Sequence, residues 1–148
     1  MRPKLTRFSA PYAIRGYQRE FARRDAEETI MIAYGMDIIR TAIARKTLRD
    51  IAAGQFGDFV KAVVDVEREL MAIGADMHAD EEAALLDNGS LRSDLWGINL
   101  YPDLKDDQWV EFDSMINVRP SQGNRSRDVE NTAVREKILA IVRRLVQE

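Results

Sequence analysis

The chain has no cysteine. This excludes disulfides, thiolate metal sites and a cysteine nucleophile, and it fits a reducing compartment, so a cytoplasmic location is the expectation. It has one histidine, His78. A multi-histidine metal site therefore has no second imidazole, and any Ser-His-Asp arrangement would have to use His78. The sequence contains no apolar run of about 18 residues, so no membrane span is expected. The N-terminus shows no apolar h-region of a secretory signal. What is present is an ordinary globular balance, with 32% charged and 45% hydrophobic residues.

The net charge of −3 is unevenly spread. Residues 1–35 carry seven Lys/Arg against four Asp/Glu, or +3; residues 36–148 carry fifteen against twenty-one, or −6. Phosphate contacts need clustered positive charge, so the acidic body argues against a general nucleic-acid binder.

Residues 1–13, "MRPKLTRFSAPYA", have two prolines and no period, and read as disordered. Residues 15–33 suit a helix, with Tyr17, Phe21, Arg24 and Ile32 on a loose face. Composition changes sharply at Met36. The basic stretch 1–35 is thus either an upstream-start artefact or an N-terminal helix docked on the body, and 36–148 reads as one α+β domain. Ile38 and Ile39 suggest a short strand, and Leu48, Ile51 and Ala52 a helix ending at Gly54.

Residues 58–80 carry two conflicting signals. Phe59, Val63, Val66, Leu70 and Ile73 recur at helical spacing. Yet "VKAVVDV" and "LMAIG" are β-rich runs flanking the charged "ERE", as in a hairpin. Residues 79–90 form a short helix, with Asp80 as candidate N-cap and Asn88-Gly89 as its stop. "LWGINLY" (95–101) and "WVEFDSMINVR" (109–119) read as an antiparallel pair of strands. In the second, Asn117 and Arg119 share a face. "PSQGNRSR" (120–127) is a loop. Residues 131–147 make an amphipathic helix capped by Asn131, with Val134, Ile138, Ile141, Val142 and Leu145 as its stripe.

Three stretches stand out together: "MHADEEAALLDNGS", "DLWGINLYP" and "SMINVRPSQGNRS". They resemble a small bacterial family known only as a domain of unknown function, with H-A-D-x-E then G-S, W-G-x-N, and S-x-I-N-x-R-P-x-x-x-N-R-S. The matching residues are His78, Asp80 and Glu82; Gly89 and Ser90; Trp96, Gly97 and Asn99; and Ser114, Ile116, Asn117, Arg119, Pro120, Asn124, Arg125 and Ser126. The resemblance runs from about Met36 to the C-terminus. Where the family often has Glu two residues before the histidine, this chain has Asp76. The resemblance implies positions, with no assigned activity. It also implies that a glycine is tolerated in "ERE", which a hairpin turn welcomes and a helix interior resists. The expectation for 58–80 is therefore a hairpin, with strands about 60–66 and 69–76.

Two groups of residues can carry chemistry. If 70–78 is a strand, Asp76 and His78 face one way, and Asp80 and Glu82 follow in the next helix turn. That cluster would suit a divalent ion such as Mn2+ or Mg2+, or a carboxylate-oriented general base. The plainer alternative is a capping Asp80, solvated Glu81 and Glu82, and a half-buried His78. The second group is Asn99, Asn117 and Arg119, with Asn124 and Arg125 in the loop. Two amides and a guanidinium on a sheet face can hold a carboxylate or phosphate. The plainer alternative is a structural network, in which Asn117 pins a loop backbone and Arg119 pairs with a nearby acid. Trp96 and Trp109 read as packing residues.

The expected fold is α+β: a small antiparallel sheet of about four strands, built from two hairpins side by side and covered by helices on one face. Two functions are open. One is a non-catalytic binding or regulatory module, holding a small anionic ligand or a protein partner through Asn117, Arg119 and the 121–127 loop, and able to form a homo-oligomer. The other is a metal-assisted hydrolase using His78, Asp80 and Glu82.

Overall fold

The computed structural model describes residues 36–148. The basic stretch, its expected helix and the start-site question lie outside the described residues. Strands β1 (Asp37–Ile39) and β2 (Ile43–Ala44) precede α1 (Arg45–Ala53), then β3 (Val60–Asp65) and β4 (Leu70–Ile73). Next come α2 (His78–Asp87), β5 (Leu95–Leu100), β6 (Val110–Glu111), α3 (Thr132–Leu145) and β7 (Val146–Gln147). The main sheet is antiparallel, with strand order β1-β4-β3-β5-β6. A short parallel pair joins β2 to β7. No helix among the described residues is long and apolar enough to cross a membrane.

The 58–80 segment is a hairpin. Ala62 pairs with Ile73 and Asp65 with Leu70, and Glu69 closes the turn at φ 58. The left-handed value explains why a glycine suits that stretch. Asp65 holds the turn: its Oδ1 accepts from the amides of Glu67 and Arg68, both at 2.9 Å, and its Oδ2 accepts from Ser90 Oγ at 2.6 Å. The helical spacing of apolar residues is incidental. β3 and β4 are buried on both faces, so alternation is lost and the run is apolar throughout.

That two-sided burial is a correction to the expected one-faced cover. Val60, Ala62, Val64, Met71 and Ile73 pack with α1 and α3 through Leu48, Ile51, Ile138, Ile141 and Leu145. Val63, Leu70, Ala72 and Leu95 pack on the other face around Leu85 of α2. Asn131 caps α3 by accepting from the Val134 amide at 3.1 Å.

Three boundaries also differ from expectation. β4 ends at Ile73, because Gly74 turns the chain at φ 92. α2 begins at His78, with Met77 as its N-cap, so Asp80 lies inside the first turn and does not cap. The strand expected over 109–119 stops at Glu111. Beyond it, Ser114 Oγ accepts from the Ile116 amide at 3.2 Å and folds Met115–Asn117 into a 3-10 turn.

Candidate functional site

The face of the sheet beneath α2 is apolar at one end and polar at the other. Register sets Lys61 of β3 beside Asn99 of β5, and Asn99 beside Glu111 of β6. The first turn of α2 lies against this row and contributes His78 and Glu81.

His78 Nε2 lies 2.8 Å from the Ile98 carbonyl. A carbonyl can only accept, so Nε2 carries the proton and the neutral ring keeps its lone pair on Nδ1. Burial pulls the imidazole below its usual pKa, and Lys61 pushes in the same direction. The Ile98 carbonyl and Asn99 oppose this by favouring the charged ring.

Glu81 is fully buried. Its Oε2 accepts from the Ala75 amide at 3.0 Å, and its Oε1 has no partner. Burial raises its pKa well above the ordinary carboxylate value, against the Ala75 amide and the Lys61 charge, which lower it.

Asn99 Nδ2 donates to Glu111 Oε1 at 2.9 Å and to the Asp113 carbonyl at 3.3 Å. Two acceptors fix the amide orientation, so Oδ1 faces the other way. There it is buried and makes no well-formed hydrogen bond, while the Asn99 amide also acts on the His78 ring. Gln55 repeats this pattern. Its Nε2 donates to the Gly74 carbonyl at 2.5 Å, leaving a buried Oε1 without a donor. The Gly74 amide in turn donates to the Lys61 carbonyl at 3.2 Å. The Gln55 and Glu81 side chains and the Lys61 main-chain carbonyl therefore all bond to the Gly74–Ala75 stretch.

An aromatic row borders this polar end. Phe56 stacks on Phe59 at 4.7 Å between centroids, and Phe59 on Tyr101 at 5.3 Å. The Lys61 ammonium lies 5.4 Å from the Phe56 centroid, and Tyr101 donates to Glu111 at 3.2 Å.

Of the residues singled out in the sequence, His78 and Asn99 meet in this buried polar cluster. Asp76 is exposed, while Asp80 and Glu82 are half-buried, with Glu82 4.0 Å from Arg92. Among the described residues, no three His, Asp or Glu groups gather where one metal ion could touch them all.

Asn117 and Arg119 lie elsewhere, along the edge of β5. Asn117 pairs with Gly97 and donates to the Arg127 carbonyl. The Arg119 guanidinium donates to the carbonyls of Ile116, Arg92 and Leu95, and stacks 4.3 Å over Trp96. It reaches β5 at Leu95, three residues from the Ile98 carbonyl that holds His78, which is about 10 Å along a strand. Asn124 Nδ2 donates to the carbonyls of Asn117, Ser126 and Asp128. The amides of Arg125 and Ser126 and the Ser126 hydroxyl all donate to Glu130 Oε2. The donor-rich loop thus holds the chain's own carboxylate.

Sequence reasoning did not single out Gln55, Lys61, Glu81 or Glu130. For Glu81 a signal existed. His78, Glu81 and the buried Leu85 are spaced at i, i+3 and i+7, one face of α2. Lys61 comes beside Asn99 only through sheet pairing, and Gln55 meets Gly74 only through loop closure.

Fold and site together define an α+β sheet protein with a buried polar cluster under one helix, bordered by stacked aromatic rings. No group of three His, Asp or Glu side chains that could hold a metal ion lies among the described residues. The chain belongs to the protein family of unknown function DUF5674, whose family model matches residues 37–145. No curated protein and no solved structure matches it.

Proposed function

We propose that this protein is a non-catalytic binding module, holding a small polar ligand at the polar end of the sheet face, between α2 and strands β3, β5 and β6. One observation carries the reading: Asn99 Oδ1 is buried, held in a fixed orientation, and makes no well-formed hydrogen bond, with only the His78 ring acting with this amide. An unpaired buried acceptor costs about 1–3 kcal/mol, so a ligand that donates to it recovers stabilisation the free protein lacks. Asn117, Arg119, Asn124 and Arg125 serve in this reading as the frame that holds β5 and the loop in place.

The test is a thermal-shift panel of amines, amides, phosphates and dicarboxylates against the full chain. A ligand of this end raises the midpoint of the wild type and leaves Asn99→Ala unmoved. An equal shift in both places the ligand elsewhere.

A hydrolytic reading is favoured by a different feature, the neutral His78 ring held through Nε2 by the Ile98 carbonyl, the form a general base needs. Its metal-assisted form requires Asp80 and Glu82 to swing toward His78. Metal analysis of purified protein with a His78→Ala control separates the two: only the hydrolase predicts a divalent ion that His78→Ala loses.

A further inference from the structure

Residues 1–35 join the sheet at its polar end. β1 runs antiparallel to β4 with Asp37 opposite Ile73, so one step earlier Met36 is level with Gly74. Gly74 is in turn level with Lys61. Its amide donates to the Lys61 carbonyl, Lys61 pairs with Asn99, and Asn99 pairs with Glu111. The chain therefore enters the described body beside the Gly74–Ala75 stretch, at the end that carries the aromatic row.

The surface at this end is both apolar and acidic. Phe56 is 41% exposed and Met77 56%. The hydrogen bond from Gln55 to the Gly74 carbonyl ties together the two loops that carry them. Asp58, Asp76 and Glu111 are exposed, and none of the three forms an ion pair among the described residues. Asp58 and Glu111 act together on the Tyr101 hydroxyl.

Residues 1–35 carry what this surface lacks. Their charge is +3 against −6 for the rest of the chain. From Arg15 to Arg24 there are four Arg against one Glu, with Tyr17 and Phe21 interleaved. A guanidinium can pair with a carboxylate and stack on an aromatic ring, and aromatic rings pack well against methionine sulfur. Twelve residues lead from Arg24 to Met36, a reach of up to about 40 Å when extended, so the segment can cover this end. The tether raises the effective concentration, and weak individual contacts then suffice.

Independently of the ligand-binding reading, we infer that residues 15–24 dock on this end of their own molecule. Tyr17 and Phe21 lie against Met77 and Phe56, and the arginines face Asp58, Asp76 and Glu111. The basic stretch is thus a cover for the acidic, apolar end of the body.

Because the chain has no cysteine, one introduced thiol carries a spin label at a single known position. The experiment is paramagnetic broadening of amide NMR signals in the full chain. The label sits at Ala79→Cys, in the exposed first turn of α2, or at Glu67→Cys, in the hairpin turn at the far end of β3. β3 spans about 20 Å, so the two labels report on different ends. The Ala79 label broadens residues 15–24 and the Glu67 label does not. Arg23→Glu combined with Arg24→Glu abolishes the broadening, while the signals of 36–148 outside the docking surface keep their positions and show the body folded. Broadening from the Glu67 label, from neither label, or undiminished in the arginine variant overturns the docking. A mixed sample, with the label on one copy and the isotope on the other, stays sharp. Broadening there would place the segment on a second copy and overturn docking within one molecule.

Discussion

The side-chain amide of Asn117 pairs with both main-chain groups of Gly97. Its Oδ1 accepts from the Gly97 amide at 2.8 Å, and its Nδ2 donates to the Gly97 carbonyl at 3.0 Å. β6 pairs with β5 only at Asn99 and Leu100. Below that point Asn117 stands where a neighbouring strand's peptide group would stand, and Arg119 takes the Leu95 carbonyl. Two side chains thus complete the edge of the sheet.

Asn117→Ala strips partners from a buried amide and carbonyl and from the Arg127 carbonyl. Each unsatisfied buried group costs about 1–3 kcal/mol, and partial relaxation brings the expected loss to about 3 kcal/mol. Urea unfolding measures it. A change within about 0.5 kcal/mol, the usual range for an inconsequential surface site, would mean that the pairing does not hold this edge.

Gly97 allows that edge to close. A Cβ at Gly97 would lie 2.6 Å from both Cβ and Oγ of Ser114. Gly97→Ala is expected to cost about 1–3 kcal/mol, as overpacking of a closed core does. Ser114→Gly in the same chain should recover part of the loss, whereas Ser114→Ala should not, since its Cβ remains. Equal rescue by the two would show that the clash is with the hydroxyl alone. The comparison is a double-mutant cycle read by denaturant midpoint.

Glu81 and His78 give opposite pH dependences. The Glu81 carboxyl has a folded pKa raised well above its ordinary 4.5. The folded state keeps the proton longer than the unfolded chain, so its contribution to stability falls as pH rises above 4.5 toward the folded pKa. Glu81→Gln removes that loss, so its melting temperature relative to wild type should climb with pH across this window. His78 has its folded pKa below the ordinary 6.5, so the unfolded chain binds the proton first and stability falls as pH drops below 6.5. His78→Phe should abolish that acid-side slope. Melting curves from pH 4 to 8 test both, and a Glu81→Gln difference that stays flat over the range contradicts the buried-carboxyl account.

Arg119→Lys should not substitute for arginine. The guanidinium serves three carbonyls and the Gln122 side chain while lying flat on Trp96. An ammonium has neither the fork nor the plane to do this. The expected loss is about 2 kcal/mol, with faster amide exchange at Gly97 as the edge loosens. Full stability with lysine would show that charge alone suffices at this position.

Much of the architecture was legible along the chain because it is locally encoded. α3 was readable from Asn131 and from the stripe at Val134, Ile138, Ile141 and Leu145, since its period and cap lie within one segment. Asn88-Gly89 likewise marked the end of α2, with Gly89 at φ 101. The last strand misled because alternation over 109–119 is a local pattern. What ends that strand is non-local: the Ser114 amide donates to the Arg127 carbonyl, and the Asn117 side chain bonds to Gly97. Asp80 resembled a cap for a similar reason. The helix start is set by His78 docking on the Ile98 carbonyl of another element.

By itself, the order of residues determined the α+β class and the helix stripes, and it marked His78, Asn99, Asn117 and Arg119 as the polar groups to follow. Propensity, periodicity and residue chemistry act over a few positions and need no partner. Tertiary structure alone decided which of those polar groups meet. It gave Asn117 and Arg119 to the sheet edge, enclosed a carboxylate at Glu81, and set Lys61 beside His78 and Asn99. A side chain's burial and free lone pairs depend on what the rest of the chain lays over it, and no local pattern carries that information.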